Sequence, residues 1–110
     1  MNVGEFAAQL GLNIKTGKSS LNKEVKGVYT CDLLSWVMSH AKTGDAWITV
    51  LTNLNIIAVA TLTDVACIII PEGIAVEEAT LKRAETEGVV VLETDMDSYS
   101  VCKKAVEAGI

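Results

Sequence analysis

With 110 residues, half of them hydrophobic and 21% charged, the chain is long enough to bury a core without disulfides or metal but leaves little for a second module. Its net charge of −5 and its nine scattered basic residues, of which only Arg83 is an arginine, argue against nucleic acid as the main partner, because phosphate contacts need clustered Lys and Arg. One stand-alone domain over residues 1–110 is expected, and a cytoplasmic one. The N-terminus carries no secretory signal, and the longest apolar region, Leu54 to Ile70, is interrupted by Asn55, Thr61, Thr63 and Asp64 and is too short for a membrane span.

Val3, Phe6, Ala7 and Leu10 have the spacing of a short amphipathic helix closed by Gly11. Leu12 to Lys15 reads as a strand, Thr16 to Lys23 as a polar loop, and Val25 to Tyr29 as a second strand. From Asp32 to Ala41 a broad apolar stripe predicts a helix, with Thr30 or Asp32 as its cap. Three short buried strands follow, at Trp47 to Leu51, Val65 to Ile70 and Val89 to Leu92, each succeeded by a polar turn and a helix-like segment. Between the first two, Asn55 to Thr63 is rich in β-branched residues that favour strand by propensity, yet two adjacent parallel strands need a crossover, and Asn53 is a suitable N-cap. Helix is therefore expected there. Val76 to Glu87, ending at Gly88, and Ser98 to Ala108, ending at Gly109, complete the set. The fold class is α/β, a mostly parallel sheet of about four to five short strands flanked by helices. Strand order stays open, since the two N-terminal strands can pair antiparallel with each other.

If the strands are parallel, the turns after them gather on one edge, where open α/β sheets bind ligands. The candidate ligand-binding residues are Thr30, Asp32, Thr52, Asn53, Glu72, Gly73, Thr94, Asp95 and Asp97. Helix N-termini facing that edge can hold an anion, while Asp32, Glu72, Asp95 and Asp97 compete for the same donors as helix caps. A Mg²⁺ site from Glu72, Asp95 and Asp97 is conceivable, but nothing in their spacing demands it, and no motif specifies a cofactor. The three cysteines, Cys31, Cys67 and Cys102, form no C-x-x-C pair. Cys67 and Cys102 read as buried thiols, and Cys31 is activated by the helix dipole only if it sits in the first turn of the helix it precedes. His40, the single histidine, lies near the end of that helix, where a cation suits the dipole, and lacks an identifiable nucleophile to serve.

Trp36 shares a helix face with Leu33 and His40, and burial in the core is the simpler expectation for it; Trp47 opens a strand. Asn55 to Thr63 leaves almost no polar face, and a helix apolar all round must be covered on both sides. The second cover can be the same helix of a twin subunit, with Ile57 and Val59 as the positions to test.

The run Val25-Lys-Gly-Val-Tyr-Thr-Cys-Asp-Leu-Leu-Ser-Trp-Val-Met, then Gly44-Asp-Ala-Trp-Ile-Thr49, Ala66-Cys-Ile-Ile-Ile70 and Asp97-Ser-Tyr99, resembles the DRTGG domain over nearly the whole chain. The resemblance implies a small α/β domain related in fold to the N-terminal domain of HPr kinase/phosphorylase. It also implies an accessory part of larger proteins, associated with dimerisation and regulation. Where the resemblance places the family's Asp-Arg pair this chain has Thr52-Asn53, and where it places Thr-Gly-Gly it has Pro71-Glu72-Gly73. The expected function is a regulatory or interaction module, homodimeric, binding a partner protein or a small phosphorylated ligand such as a nucleotide. The alternative is a Mg²⁺-dependent phosphotransfer or hydrolytic enzyme using the acidic residues of the turns.

Overall fold

The computed structural model describes residues 1–110. In chain order the elements are α1 (Val3–Leu10), β1 (Asn13–Ile14), a 3₁₀ turn (Lys18–Ser20), β2 (Gly27–Thr30), α2 (Leu34–His40), β3 (Asp45–Ile48), α3 (Asn55–Thr63), β4 (Cys67–Ile70), α4 (Glu78–Glu87), β5 (Val91–Glu93) and α5 (Ser98–Glu107). The strands form one five-stranded sheet in the order β1-β5-β4-β3-β2, parallel except for β1, which pairs antiparallel with β5. The two N-terminal strands are thus at opposite edges and do not pair with each other. A two-residue β1 has room only for the Asn13↔Glu93 and Ile14↔Leu92 register beside β5.

Side chains alternate across the sheet, as the pleat requires. Ala46, Ile48, Cys67, Ile69 and Leu92 join a half-core with α1 and α5; Trp47, Ile68, Ile70 and Val91 join another with α2, α3 and α4. Three successive parallel crossovers advance in one direction across the sheet, and their common handedness places their helices on one face. All four residues of β4 are buried, so this strand reads as a continuous apolar run instead of an alternation. Burial pushes the Cys67 thiol up to about 12, which keeps it protonated.

Local chemistry explains the helix ends. Asn2 and Glu5 form a reciprocal capping box on α1: the Asn2 side chain accepts from the Glu5 N–H at 2.8 Å, and the Glu5 carboxylate accepts from the Asn2 N–H at 2.9 Å. Gly11 and Gly88 close α1 and α4 in the left-handed conformation, with φ of 72° and 70°. The β-branched segment Asn55–Thr63 is helical, and Thr61 and Thr63 donate back to the carbonyls of Ile57 and Val59 at 3.0 and 2.8 Å. Crossover geometry overrides propensity here.

Strands β2 to β5 begin two residues away from the starts of their expected runs, and β4 ends with its run at Ile70. Val50 and Leu51 lie beyond β3 because the Val50 N–H turns to the Asp32 carboxylate at 2.9 Å. Trp36 is an exposed residue, at 52%, while Trp47 is completely buried and its indole N–H donates to the Cys31 carbonyl at 2.9 Å. The expectation that Trp36 enters the core is corrected: Leu34, Val37 and Ala41 form the inner stripe of α2.

At the N-terminal ends of the strands, the loop after β1 is fixed by Thr16. Its hydroxyl donates to the Val89 carbonyl at 2.8 Å and accepts from the Val91 N–H at 3.1 Å. Gly17 follows at φ 77°, where an added Cβ would fall 2.8 Å from both the Val89 oxygen and the Val90 Cα. Neither backbone atom can yield without disturbing β5. Gly17→Ala is therefore expected to destabilise the fold by about 1–3 kcal/mol, read as a lower urea midpoint; an unchanged midpoint would mean that the loop detaches freely from β5.

Candidate functional site

The parallel strands end at Thr30, Ile48, Ile70 and Glu93, so the turns that follow them line one edge of the sheet, as expected. The chain leaves β4 for α4 on one face and leaves β5 for α5 on the other. Adjacent strands whose exits diverge in this way open a crevice in α/β sheets. Here the divergence is bridged by backbone: Glu72 N–H donates to the Met96 carbonyl at 2.8 Å, Gly73 N–H to the Thr94 carbonyl at 2.9 Å, and Thr94 N–H to the Ile70 carbonyl at 3.1 Å. Glu72 and Gly73 both take positive φ, 64° and 67°, to make this turn, and a Cβ on Gly73 would lie 3.0 Å from the Asp95 carboxylate.

The nine predicted residues fall into separate groups along the edge. Thr30 lies beside Cys102 of α5, hydroxyl to sulfur 3.8 Å. Asp32 does not cap α2, whose N-cap is Leu33 without a side-chain bond; it accepts instead from the Thr49 hydroxyl at 2.8 Å and the Val50 N–H at 2.9 Å. This clasp joins the ends of β2 and β3. It also places Cys31 ahead of α2 and outside its first turn, so the dipole argument for that thiol does not apply. Thr52 donates to Glu77 at 3.3 Å, and its carbonyl accepts from the Thr80 hydroxyl at 2.7 Å, which ties the entry of α3 to the first turn of α4. Asn53 lies just ahead of α3 and accepts from the Asn55 N–H at 3.0 Å, in an Asx turn.

Among the acids, Asp97 alone is the expected helix cap. It accepts from the Ser100 N–H at 2.7 Å at the start of α5, and this hydrogen bond holds its carboxyl below the usual aspartate value. Glu72 and Asp95 are exposed and cap nothing. Glu72, Asp95 and Asp97 are not brought together as a metal-binding set.

Sequence reasoning missed Thr49, Glu77 and Thr80. For Thr49 and Thr80 the one visible signal is polarity at a buried position: Thr16, Thr49, Thr80 and Thr94 are the buried polar residues of the chain, and each is hydrogen-bonded, whereas Glu77 is exposed and carries no such signal. Two surface depressions lie away from this edge. One of about 400 Å³ lies between the loop after β1 and α4, and another of about 330 Å³ between α3 and α4.

The DRTGG domain model matches residues 5–108. The chain belongs to the DRTGG domain family. No curated protein matches the sequence. The chain is similar to the crystal structure of the CBS and DRTGG domains of the regulatory region of Clostridium perfringens pyrophosphatase complexed with activator, diadenosine tetraphosphate. The TM-score is 0.77 at 16% identity, over 97% of this chain and 46% of that chain. This likeness establishes the DRTGG fold, and this DRTGG chain spans less than half the length of that structure. No helix is long and apolar enough to cross a membrane.

The depressed Asp97 value carries a pH signature. A carboxylate whose folded pKa is lowered adds stability above its unfolded value of 3.8, and that stability is lost as pH falls through the folded value. Asp97→Ala is expected to lower the melting temperature at neutral pH, with the gap to wild type closing as the pH drops below that range. A gap unchanged across the titration would mean that the cap contributes through something other than its charge.

Proposed function

We propose that this DRTGG-family chain is a cytoplasmic regulatory and interaction module that works as a homodimer and responds to a partner protein or to a small phosphorylated ligand such as a nucleotide. The observation that carries this reading is the outer face of α2 and α3. Leu33, Trp36, Met38, Leu54 and Leu62, in these helices or just ahead of them, are all exposed, Leu62 at 71%, and no charged residue lies between Asp45 and Asp64. Clustered apolar exposure of this kind marks an interaction surface. Ile57 and Val59, the positions first expected to face a twin subunit, are buried inside the chain, and the outward stripe is Leu54, Ala58 and Leu62.

The ligand part of the reading is supported by the DRTGG-containing regulatory region that binds diadenosine tetraphosphate as activator, and by the position of the diverging turns after β4 and β5. Thr30, Asp32, Thr52, Asn53, Glu72, Gly73, Thr94, Asp95 and Asp97 are the residues proposed to face such a ligand.

Two measurements test the reading. In sedimentation the wild-type chain is expected to dimerise with concentration and Leu62→Glu to remain a folded monomer; a wild type that stays monomeric throughout overturns the homodimer. In a thermal-shift series with adenine nucleotides, a ligand at a hundred times its dissociation constant should add about 2.7 kcal/mol of stability. A melting temperature unmoved by any of them overturns nucleotide binding and leaves the protein-interaction role.

A further inference from the structure

The outer face of α3 places a small residue between two large ones. Leu54, Ala58 and Leu62 follow one another at four-residue steps, forming a single ridge along the exposed side of the helix. Beside it runs the depression of about 330 Å³ between α3 and α4, with Ile57, Ala58, Thr61 and Leu62 on one wall and Arg83 and Glu87 on the other. Both helices return antiparallel to the strands, so they run parallel to each other. Ala58 and Leu62 are four residues apart, as are Arg83 and Glu87, and all four border the same groove.

Arg83, the chain's single arginine, has no carboxylate within ion-pair distance; the ion pairs present are Met1–Glu24 and Lys23–Asp64. Glu87 follows Arg83 by one helical turn, in the order that pairs less well within a helix.

Resting on the homodimer reading above, we infer that two copies join through α3 packed antiparallel on its twin, with the two-fold axis midway between Ala58 and Leu62. Leu62 of each copy then fills the groove over Ala58 of the other. At the shallow crossing angle of helical bundles, the same axis passes midway between Arg83 and Glu87, so each arginine meets the glutamate of the other copy. The occupant is a second copy because one rotation satisfies both the knob and hole and the charge pair. The absence of charged residues from α3 itself also spares a chain of net charge −5 from repulsion along the helix pair.

The test uses the two charges at exposed positions, where substitution leaves the fold intact. Arg83→Glu and Glu87→Arg are each expected to weaken dimerisation roughly tenfold, since each homodimer then faces like charges. Mixing the two variants is expected to restore dimers, now heterodimers, measured by sedimentation or by native mass spectrometry of the mixture; the double variant R83E/E87R should dimerise as wild type does. If wild type dimerises but the single variants do so equally well, or the mixture gains no heterodimer, this register is overturned while the homodimer stands. A wild type that never dimerises overturns both.

Discussion

The structure depends on the two-sided burial of its central strands. β4 is covered on both faces and β3 nearly so, with Ile68, Ile69 and Ile70 completely removed from solvent. A sheet buried in this way needs a helical layer on each side. The three crossovers supply only one of them. The other comes from α1 and α5, at the two ends of the chain, and their residues Val3, Phe6, Leu10, Val101 and Ala105 complete the half-core around Ile48, Ile69 and Leu92. The DRTGG fold is thus a parallel core on one side with the chain ends folded beneath it.

That arrangement governs the strand-end edge. With α4 and α5 on opposite faces, the turns after β4 and β5 separate, and in this chain the separation is spanned by hydrogen bonds between Pro71–Gly73 and Thr94–Met96. Elsewhere along the edge the polar groups are likewise engaged: Asp32 with Thr49 and Val50, Thr52 with Glu77 and Thr80, Asp97 with Ser100. The helical layer over α2 and α3 differs from that edge. Its polar groups are few, and several of its large apolar side chains are exposed to solvent.

Much of the fold was legible because periodicity and caps are local. All five helices were placed, α1 and α3 to the residue, and Gly11 and Gly88 mark the ends of α1 and α4 through neighbours in sequence. Apolar runs mark burial, however, not pairing. Asp45 joins β3 while its carboxylate accepts from the Lys42 N–H at 2.8 Å, and Val50 leaves the strand for Asp32. The misplaced cap has the same origin: the partner of Asp32 is Thr49, 17 residues on, and capping rules look only a turn ahead. The α2 stripe was broad enough to include Trp36, and only the three-dimensional packing of Val37 against α3 and the sheet decides which side of it faces inward. The gathering of the turns at one edge was readable from the βα rhythm, whereas their division into separate hydrogen-bonded groups was not, because it rests on contacts between distant segments.

The placement of α1 against α5 bears on how the molecule is made. During synthesis α1 and β1 leave the ribosome before the rest of this domain, yet the antiparallel partner of β1 is β5 and the helix beside α1 is α5, both at the far end of the domain's sequence. The stretch from β2 to α4 supplies its own neighbours and can consolidate while the rest is still being synthesised. The amphipathic helix α1 has to wait, with Phe6 and Leu10 uncovered, until α5 has been synthesised. Nascent chains stalled before Val101 should therefore display an unsealed apolar underside to whatever chaperones attend the exit tunnel.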